Sequence, residues 1–308
     1  MSALGTALPA YLDLRRGLGY KARQQEKNLH DFVRFMTRRR ATVITRKLAL
    51  KWAMQPQYSH STWRHRLIDI RGFARYLLSM EPRTEVPPTD LFPLRPRPTP
   101  HLYTGKEITK LLKAALNLQP PDSLRRFTYY CLLGLLAVSG LRISEALGLR
   151  REDVDMEQGV LTIHGTKFGK SRLVPVHRTT QCVLTRYAQR RDKQFQPQRS
   201  PYFFVGTGGD RLRPRSVRKV FHWLLRQTGL RETENQPGPR LHDFRHHVAV
   251  YTLLGWYRSG RNVESLLPVL ATYLGHGSIR DTYWYLSACP ELMGQAVLRL
   301  EKHWERQS

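Results

Sequence analysis

Seven prolines between residues 81 and 100 (Pro82, Pro87, Pro88, Pro93, Pro96, Pro98 and Pro100) constrain this chain more than any other feature. Each fixes φ and removes a backbone donor, so neither a helix nor an inner strand runs through the segment. An extended connector is predicted. It should separate a first domain at 1–80 from a second at 101–308, with the linker at 81–100. The length of 308 residues agrees, because single cores usually stop growing near this size.

On either side, periodicity points to helices. Leu29, Phe32, Val33 and Met36 share one face at helical spacing. Thr45 is placed to cap a helix through Trp52, and Ser61 a longer one carrying Leu67, Ile70, Phe73, Ala74 and Leu77. After the connector, Thr104-Gly-Lys-Glu107 reads as a capping box opening a helix through Leu116. The uncharged run Phe127–Leu141 is too short and too polar to cross a bilayer, and reads as a buried helix. A further helix begins around Arg142. Val160–His164 and Arg172–Val176 predict a β-hairpin with Lys167 near its tip. The remainder is helical, with breaks at Gly206–Arg213 and Thr233–Arg240. The expected class is mainly α with a small β-hairpin or sheet.

Charge selects the partner. Lys and Arg number 51 against 24 Asp and Glu, a net charge of +27. Residues 1–100 hold 19 basic and 7 acidic residues and the rest hold 32 and 17, so both parts are strongly positive. Composition alone is compatible with a highly soluble protein or a ribosome component, but nucleic acid is the first expectation. Arg38, Arg39, Arg40, Arg46, Lys47, Lys51, Arg64, Arg66, Arg71 and Arg75 are the phosphate-contact candidates of the first domain. Lys170 and Arg172 join them in the second. For any one of them, an ordinary solvated helix face is the competing reading.

Cys131, Cys182 and Cys289 are far apart and odd in number, with no Cys-x-x-Cys pair. Neither a disulfide framework nor a zinc site is expected, and a reducing cytoplasm fits. The first residues lack the basic lead and apolar core of a signal peptide. No metal, cofactor or membrane is expected.

The chemistry lies in the second domain. Arg142 sits in Ser139-Gly-Leu-Arg-Ile-Ser-Glu145, Lys167 in Gly165-Thr-Lys-Phe-Gly-Lys170, and His242 and Arg245 in His-Asp-Phe-Arg. His276 ends Leu274-Gly-His, and Tyr285 follows nine residues later. Attack on a phosphodiester builds charge on its oxygens, which two guanidinium forks can hold. Histidine and lysine can move protons, and a tyrosine can form a covalent ester. His242 and Arg245, three apart, would share a helix face; His246 and His247 would lie on other faces and serve structure. Glu145 would pair with Arg142 by the same spacing. Tyr283 and Tyr285 in Thr-Tyr-Trp-Tyr-Leu would point about 200° apart on a helix, so only one can face the phosphate.

The order and spacing of these residues resemble the tyrosine recombinases, also called the phage integrase family. The resemblance covers Thr104–Ser308 well, and 1–100 only as a basic helical domain before a linker. It implies a helical, SAM-like core-binding domain followed by a catalytic domain, the two forming a clamp around duplex DNA. It selects Tyr285 as the nucleophile and Lys167 as general acid toward the leaving 5′ oxygen, with Lys170 the runner-up. It also implies that His276 donates to a non-bridging oxygen and that Glu145 orients Arg142. The implied reaction passes through a 3′-phosphotyrosyl link and a Holliday junction, without ATP or metal. A terminal amphipathic helix over Glu291–Leu300, with Leu292, Ala296, Val297 and Leu300 on one face, would close a homotetramer on DNA or dock on its own domain. Accessory proteins are compatible with this scheme. The stretch 255–273 looks longer than in compact Xer-type members, which suggests a mobile-element enzyme. A type IB topoisomerase and a non-catalytic DNA-binding accessory protein are the alternatives, the second disfavoured because no matched residue is lost.

Overall fold

The computed structural model describes residues 3–92, 99–165, 171–233, 238–287, 291–294, 297–298 and 301. The chain divides into two compact units, Met1–Pro98 and Thr99–Ser308.

The described residues of the first unit form α1 (Ala3–Gly17), α2 (Arg23–Arg38), α3 (Arg46–Ala53) and α4 (His60–Leu77). On α2 the stripe is buried as predicted through Leu29, Phe32 and Met36, with Phe35 inside and Val33 only partly covered. Thr45 caps α3, its Oγ1 accepting from the Leu48 amide at 3.3 Å. α4 starts two residues before the predicted point, with Ser59 at the cap position. Ser59, Ser61 and Thr62 are all cap-forming residues, so local chemistry alone does not choose among them. No expectation was attached to α1, yet its Leu4, Leu8, Tyr11 and Leu12 recur at helical spacing and are buried.

Two arginines expected at phosphates are committed to this unit instead. Arg66 is 2% exposed; it lies 3.5 Å over the Trp52 ring and donates to the Trp52 carbonyl at 3.1 Å and to Gln55 Oε1 at 3.2 Å. Arg71 donates through Nε to the Pro87 carbonyl at 2.8 Å and through its second arm to that of Pro88. Prolines keep their carbonyl acceptors while losing their donors, so a guanidinium fork suits such a segment. The Glu85 amide donates to the Ile44 carbonyl at 2.8 Å, and Val86 and Phe92 pack on the helical core. Residues 81–92 thus belong with the first unit.

The second unit is built around α6 (Leu124–Ser139), which α5 (Gly105–Leu116), α8 (Arg178–Gln194) and α10 (Asp243–Arg258) pack against. The capping box at Thr104 and Glu107 is present. α6 buries Leu132, Leu133, Leu135 and Leu136, as an uncharged run of that length requires. A short helix, α7 (Ile143–Ala146), follows. The hairpin strands are β2 (Val160–Ile163) and β3 (Arg172–Pro175), antiparallel, with Leu161 opposite Val174 and Ile163 opposite Arg172. A two-residue strand unpredicted from the sequence, β1 (Val154–Asp155), extends the sheet in the order β1-β2-β3. Lys167 and Lys170 lie outside the described residues.

The remaining helices are α9 (Pro214–Gln227), α11 (Val263–Leu274) and α12 (Arg280–Ser287). The stretch 255–273 comprises the end of α10, a short connection and most of α11. α10, α11 and α12 enclose a second core containing Leu253, Leu267, Leu274 and Tyr285. Residues 291–294 are helical and Leu292 is buried in that core, whereas Val297, expected on the same face, is about half exposed. Ala296 and Leu300 lie outside the described residues. Among the described residues, no helix is long and apolar enough to cross a membrane.

Candidate active site

α6 stops at Ser139 because Gly140 turns left-handed, at φ 62. The position is also tight: an added Cβ would lie 3.2 Å from Leu274 Cδ2 and from Val248 Cβ. The chain then reverses, and Arg142 takes the N-cap of α7.

The centre of the site is the C-terminal end of α11. The last carbonyls of a helix have no partner within it and carry the negative end of its dipole. Here three successive carbonyls each receive an arginine. Arg172 donates through Nε to Tyr273 at 2.8 Å, Arg245 through one arm to Leu274, and Arg142 through one arm to Gly275 at 3.0 Å. The other arm of Arg245 reaches the Gly140 carbonyl at 3.0 Å. Arg245 is 1% exposed, and burial, then Arg142, lower its pKa to about 10, which leaves it charged at neutral pH.

Glu145 balances this array. Its carboxylate accepts from the Arg142 side chain at 2.8 Å and backbone amide at 2.9 Å, and from both arms of Arg172 at 2.9 and 3.1 Å. Burial alone would raise its pKa, but the bonds from Arg172 and Arg142 outweigh it and hold the carboxyl below its ordinary value. Arg172 is therefore not the solvent-facing phosphate contact expected of it: its side chain is 8% exposed and it positions Glu145 and the α11 end.

His242 stands at the N-cap of α10, one turn from Arg245. Burial, then Arg245 and Arg142, lower its pKa. His276 follows the left-handed Gly275, and the same causes push it down to about 4. Both rings are therefore neutral at pH 7. Tyr285 is 2% exposed and Tyr283 is 52% exposed, so Tyr285 is the phenol turned into the cluster. The Tyr285 ring stacks on His276 with centroids 5.8 Å apart, and the charge of Arg245 acts on its hydroxyl. Burial raises its pKa; Arg245 and Arg142 pull it down but do not win, so Tyr285 rests as a phenol. The structure thus brings together Arg142, Glu145, His242, Arg245, His276 and Tyr285.

It adds two residues. His246, read from the sequence as lying on another face, is 4.8 Å from His242 and 5.4 Å from Tyr285 by ring centroids. Its face is turned into the site because α12 folds back across α10. Thr282, fully buried, meets His276 Nδ1 at 2.7 Å. Beside the cluster, a cleft of about 280 Å³ opens between α7 and the hairpin, bordered by Arg142, Glu145, Asp153 and His164. Asp153 is buried and its Oδ1 lies 2.8 Å from His164 Nε2, tying down the end of β2. Among the described residues, no group of three or more His, Cys, Asp or Glu could hold a metal ion.

Of the other basic candidates, Arg38, Arg39, Arg40, Arg46, Lys47, Lys51 and Arg75 are exposed and Arg64 is half-buried. A basic surface not expected from the sequence lies on α9, which buries Val217, Phe221 and Leu224 and exposes Arg215, Arg218 and Lys219. Its signal was the apolar i, i+4, i+7 spacing with cations between.

Residues 102–291 match the model of the phage integrase family. The chain is 48% identical over 311 residues to y4rB of Sinorhizobium fredii (strain NBRC 101917 / NGR234), a protein provisionally named an integrase/recombinase, covering 99% of both. It is 30% identical over 250 residues to the tyrosine recombinase XerC of Chlamydia muridarum (strain MoPn / Nigg), covering 81% of this chain and 74% of that one. Its fold is similar to the Tn1549 transposon integrase in complex with transposon right end DNA, with a TM-score of 0.68 at 16% identity over 96% and 98% of the two chains. It is also similar to XerH bound to a palindromic difH substrate, with a TM-score of 0.62 at 19% identity over 84% and 73%. A clustered arginine, histidine and tyrosine site, on a helical scaffold shared with these proteins, accords with the family match: the chain belongs to the phage integrase family, the tyrosine recombinases.

Proposed function

We propose that this recombinase cuts and rejoins DNA through a 3′-phosphotyrosyl link on Tyr285 and serves the integration, excision or transposition of a mobile element. The observation that carries the reading is the burial of Tyr285 against Arg245, with His276 stacked on its ring. Arg142 and Arg245 hold the scissile phosphate, their orientation fixed by Glu145 and the α11 carbonyls. The Tyr285 oxygen attacks phosphorus and the bond to the 5′ oxygen breaks. The phenol proton leaves to a neutral imidazole of the cluster, and the 5′ oxygen takes a proton from Lys167. Attack by a 5′ hydroxyl of the partner strand reverses these steps. The ester bond is conserved throughout, so the exchange needs no high-energy cofactor.

The two units each contact DNA in this reading. Exposed Arg38, Arg39, Arg40, Arg46, Lys47, Lys51 and Arg75 on the first, and Arg215, Arg218 and Lys219 on the second, meet phosphates, which makes binding strongly salt-dependent. A homotetramer joined through the terminal helix, acting in the cytoplasm with any accessory proteins the element supplies, completes the scheme.

The test is covalent trapping. Wild type, Tyr285→Phe and Tyr283→Phe are incubated with nicked duplexes covering the ends of the source element and run on denaturing gels. A DNA-shifted protein band lost only in Tyr285→Phe is expected. Loss only in Tyr283→Phe would overturn the nucleophile. No band from wild type on bound DNA would overturn the reaction.

A further inference from the structure

Histidine carries two ring nitrogens, and in the neutral ring one donates while the other accepts. Which does which is set by the partner of each nitrogen. For His276 one partner is fixed: Nδ1 lies 2.7 Å from the Thr282 hydroxyl. Thr282 is fully buried on α12, three residues and hence about one turn before Tyr285. Among the described contacts, Thr282 is the hydrogen-bond partner of that nitrogen. The His276 backbone is itself anchored, its amide donating to the Ala271 carbonyl at 2.9 Å. With Nδ1 occupied and the ring stacked on Tyr285, Nε2 is the nitrogen left for a ligand between the arginines.

We propose that Thr282 is a positioning residue that donates its hydroxyl proton to His276 Nδ1 and so fixes the ring as the Nε2–H tautomer. In that form His276 presents a hydrogen-bond donor to a phosphate oxygen. Had Thr282 accepted instead, the ring would present a lone pair to an anion and repel it. The hydroxyl also ties the donor to the nucleophile, because the residue that orients His276 is on the helix that carries Tyr285. The proposal rests on the phosphotyrosyl reading of the site for its catalytic consequence, but the tautomer is a property of the protein alone.

Thr282→Val keeps the shape and removes the hydroxyl; Thr282→Ser keeps the hydroxyl. In single-turnover cleavage, Thr282→Val is expected to react about tenfold more slowly, the fold-change of one hydrogen bond of ordinary net strength, with DNA affinity unchanged. Thr282→Ser should stay near wild type. Cleavage by Thr282→Val at the wild-type rate, or by Thr282→Ser as slowly as by Thr282→Val, would overturn the proposal. A second measurement does not need a folded variant at Thr282: the ring ¹⁵N shifts of His276 in wild type, assigned by their loss in His276→Gln. A pyrrole-like Nε2 and a pyridine-like Nδ1 are expected, and the reverse pattern overturns the proposal. If wild type forms no covalent adduct while the shifts show Nε2–H, the reaction reading fails and the hydrogen bond stands.

Discussion

Arginine has two uses in this chain, and burial separates them. Arg66 is enclosed, with its charge over Trp52 and three acceptors around it, Asp31, Trp52 and Gln55. Arg75, nine residues on along the same helix, is exposed. Removing a buried cation leaves its acceptors unpaired, so Arg66→Ala should destabilise the first unit by about 3 kcal/mol. Arg75→Ala should leave the urea midpoint unchanged and instead lower DNA affinity, with a salt slope shallower by about one counterion. Midpoints and titrations of both variants at two salt concentrations check the pair. Equal effects of the two variants on stability would refute the division. The distinction was hidden in the sequence because Arg64, Arg66, Arg71 and Arg75 are alike as letters. Only the return of residues 84–88 and the placement of Trp52 show which of them turn inward.

At the scale of elements, the end of α11 and the glycine after it organise the site. Gly275 has φ 68, and a Cβ there would lie 2.6 Å from an arm of Arg172. Gly275→Ala therefore meets two obstacles, a left-handed backbone costing about 1–2 kcal/mol and a displaced guanidinium. The expected outcome is a lower melting temperature of the catalytic unit and slower cleavage at unchanged DNA affinity; wild-type cleavage would show that Arg172 tolerates the shift. Arg142, Glu145 and the His242–Arg245 pair were legible because each lies within one local string whose spacing already places its members together. The role of Arg172 was not, since its carbonyl partner Tyr273 is 101 residues away. His246 was misread because helix-face reasoning covers α10 alone, whereas α12 folds over a second face of it. The β1 strand, two residues long, offers too few positions for any periodicity to register.

For the whole molecule, the concentration of cations around buried imidazoles makes stability depend on pH. Burial and the neighbouring cations lower His246 and His276 to about 4, and lower His242 as well. Between pH 6.5 and 4 the unfolded chain binds protons at His246 and His276 that the folded chain refuses. Stability is therefore full above pH 6.5 and falls as the pH drops through that window, approaching about 1 kcal/mol per pH unit for each ring. Glu145, whose folded pKa is lowered, adds its loss once the pH falls below its ordinary carboxylate value. Urea unfolding at pH 7 and pH 5 should show the fall, and His246→Gln should flatten it. A slope unaffected by that substitution would remove His246 from the account.

The carbonyl that receives Arg142 belongs to Gly275, the residue at which the chain leaves α11 toward the nucleophile helix. The peptide that anchors Arg142 is thus also the one that starts the connection to α12. In the proposed reaction, a swing of α12 that began at this peptide would move the Tyr285 oxygen and at the same time loosen one arm of Arg142, slackening the grip on the phosphate.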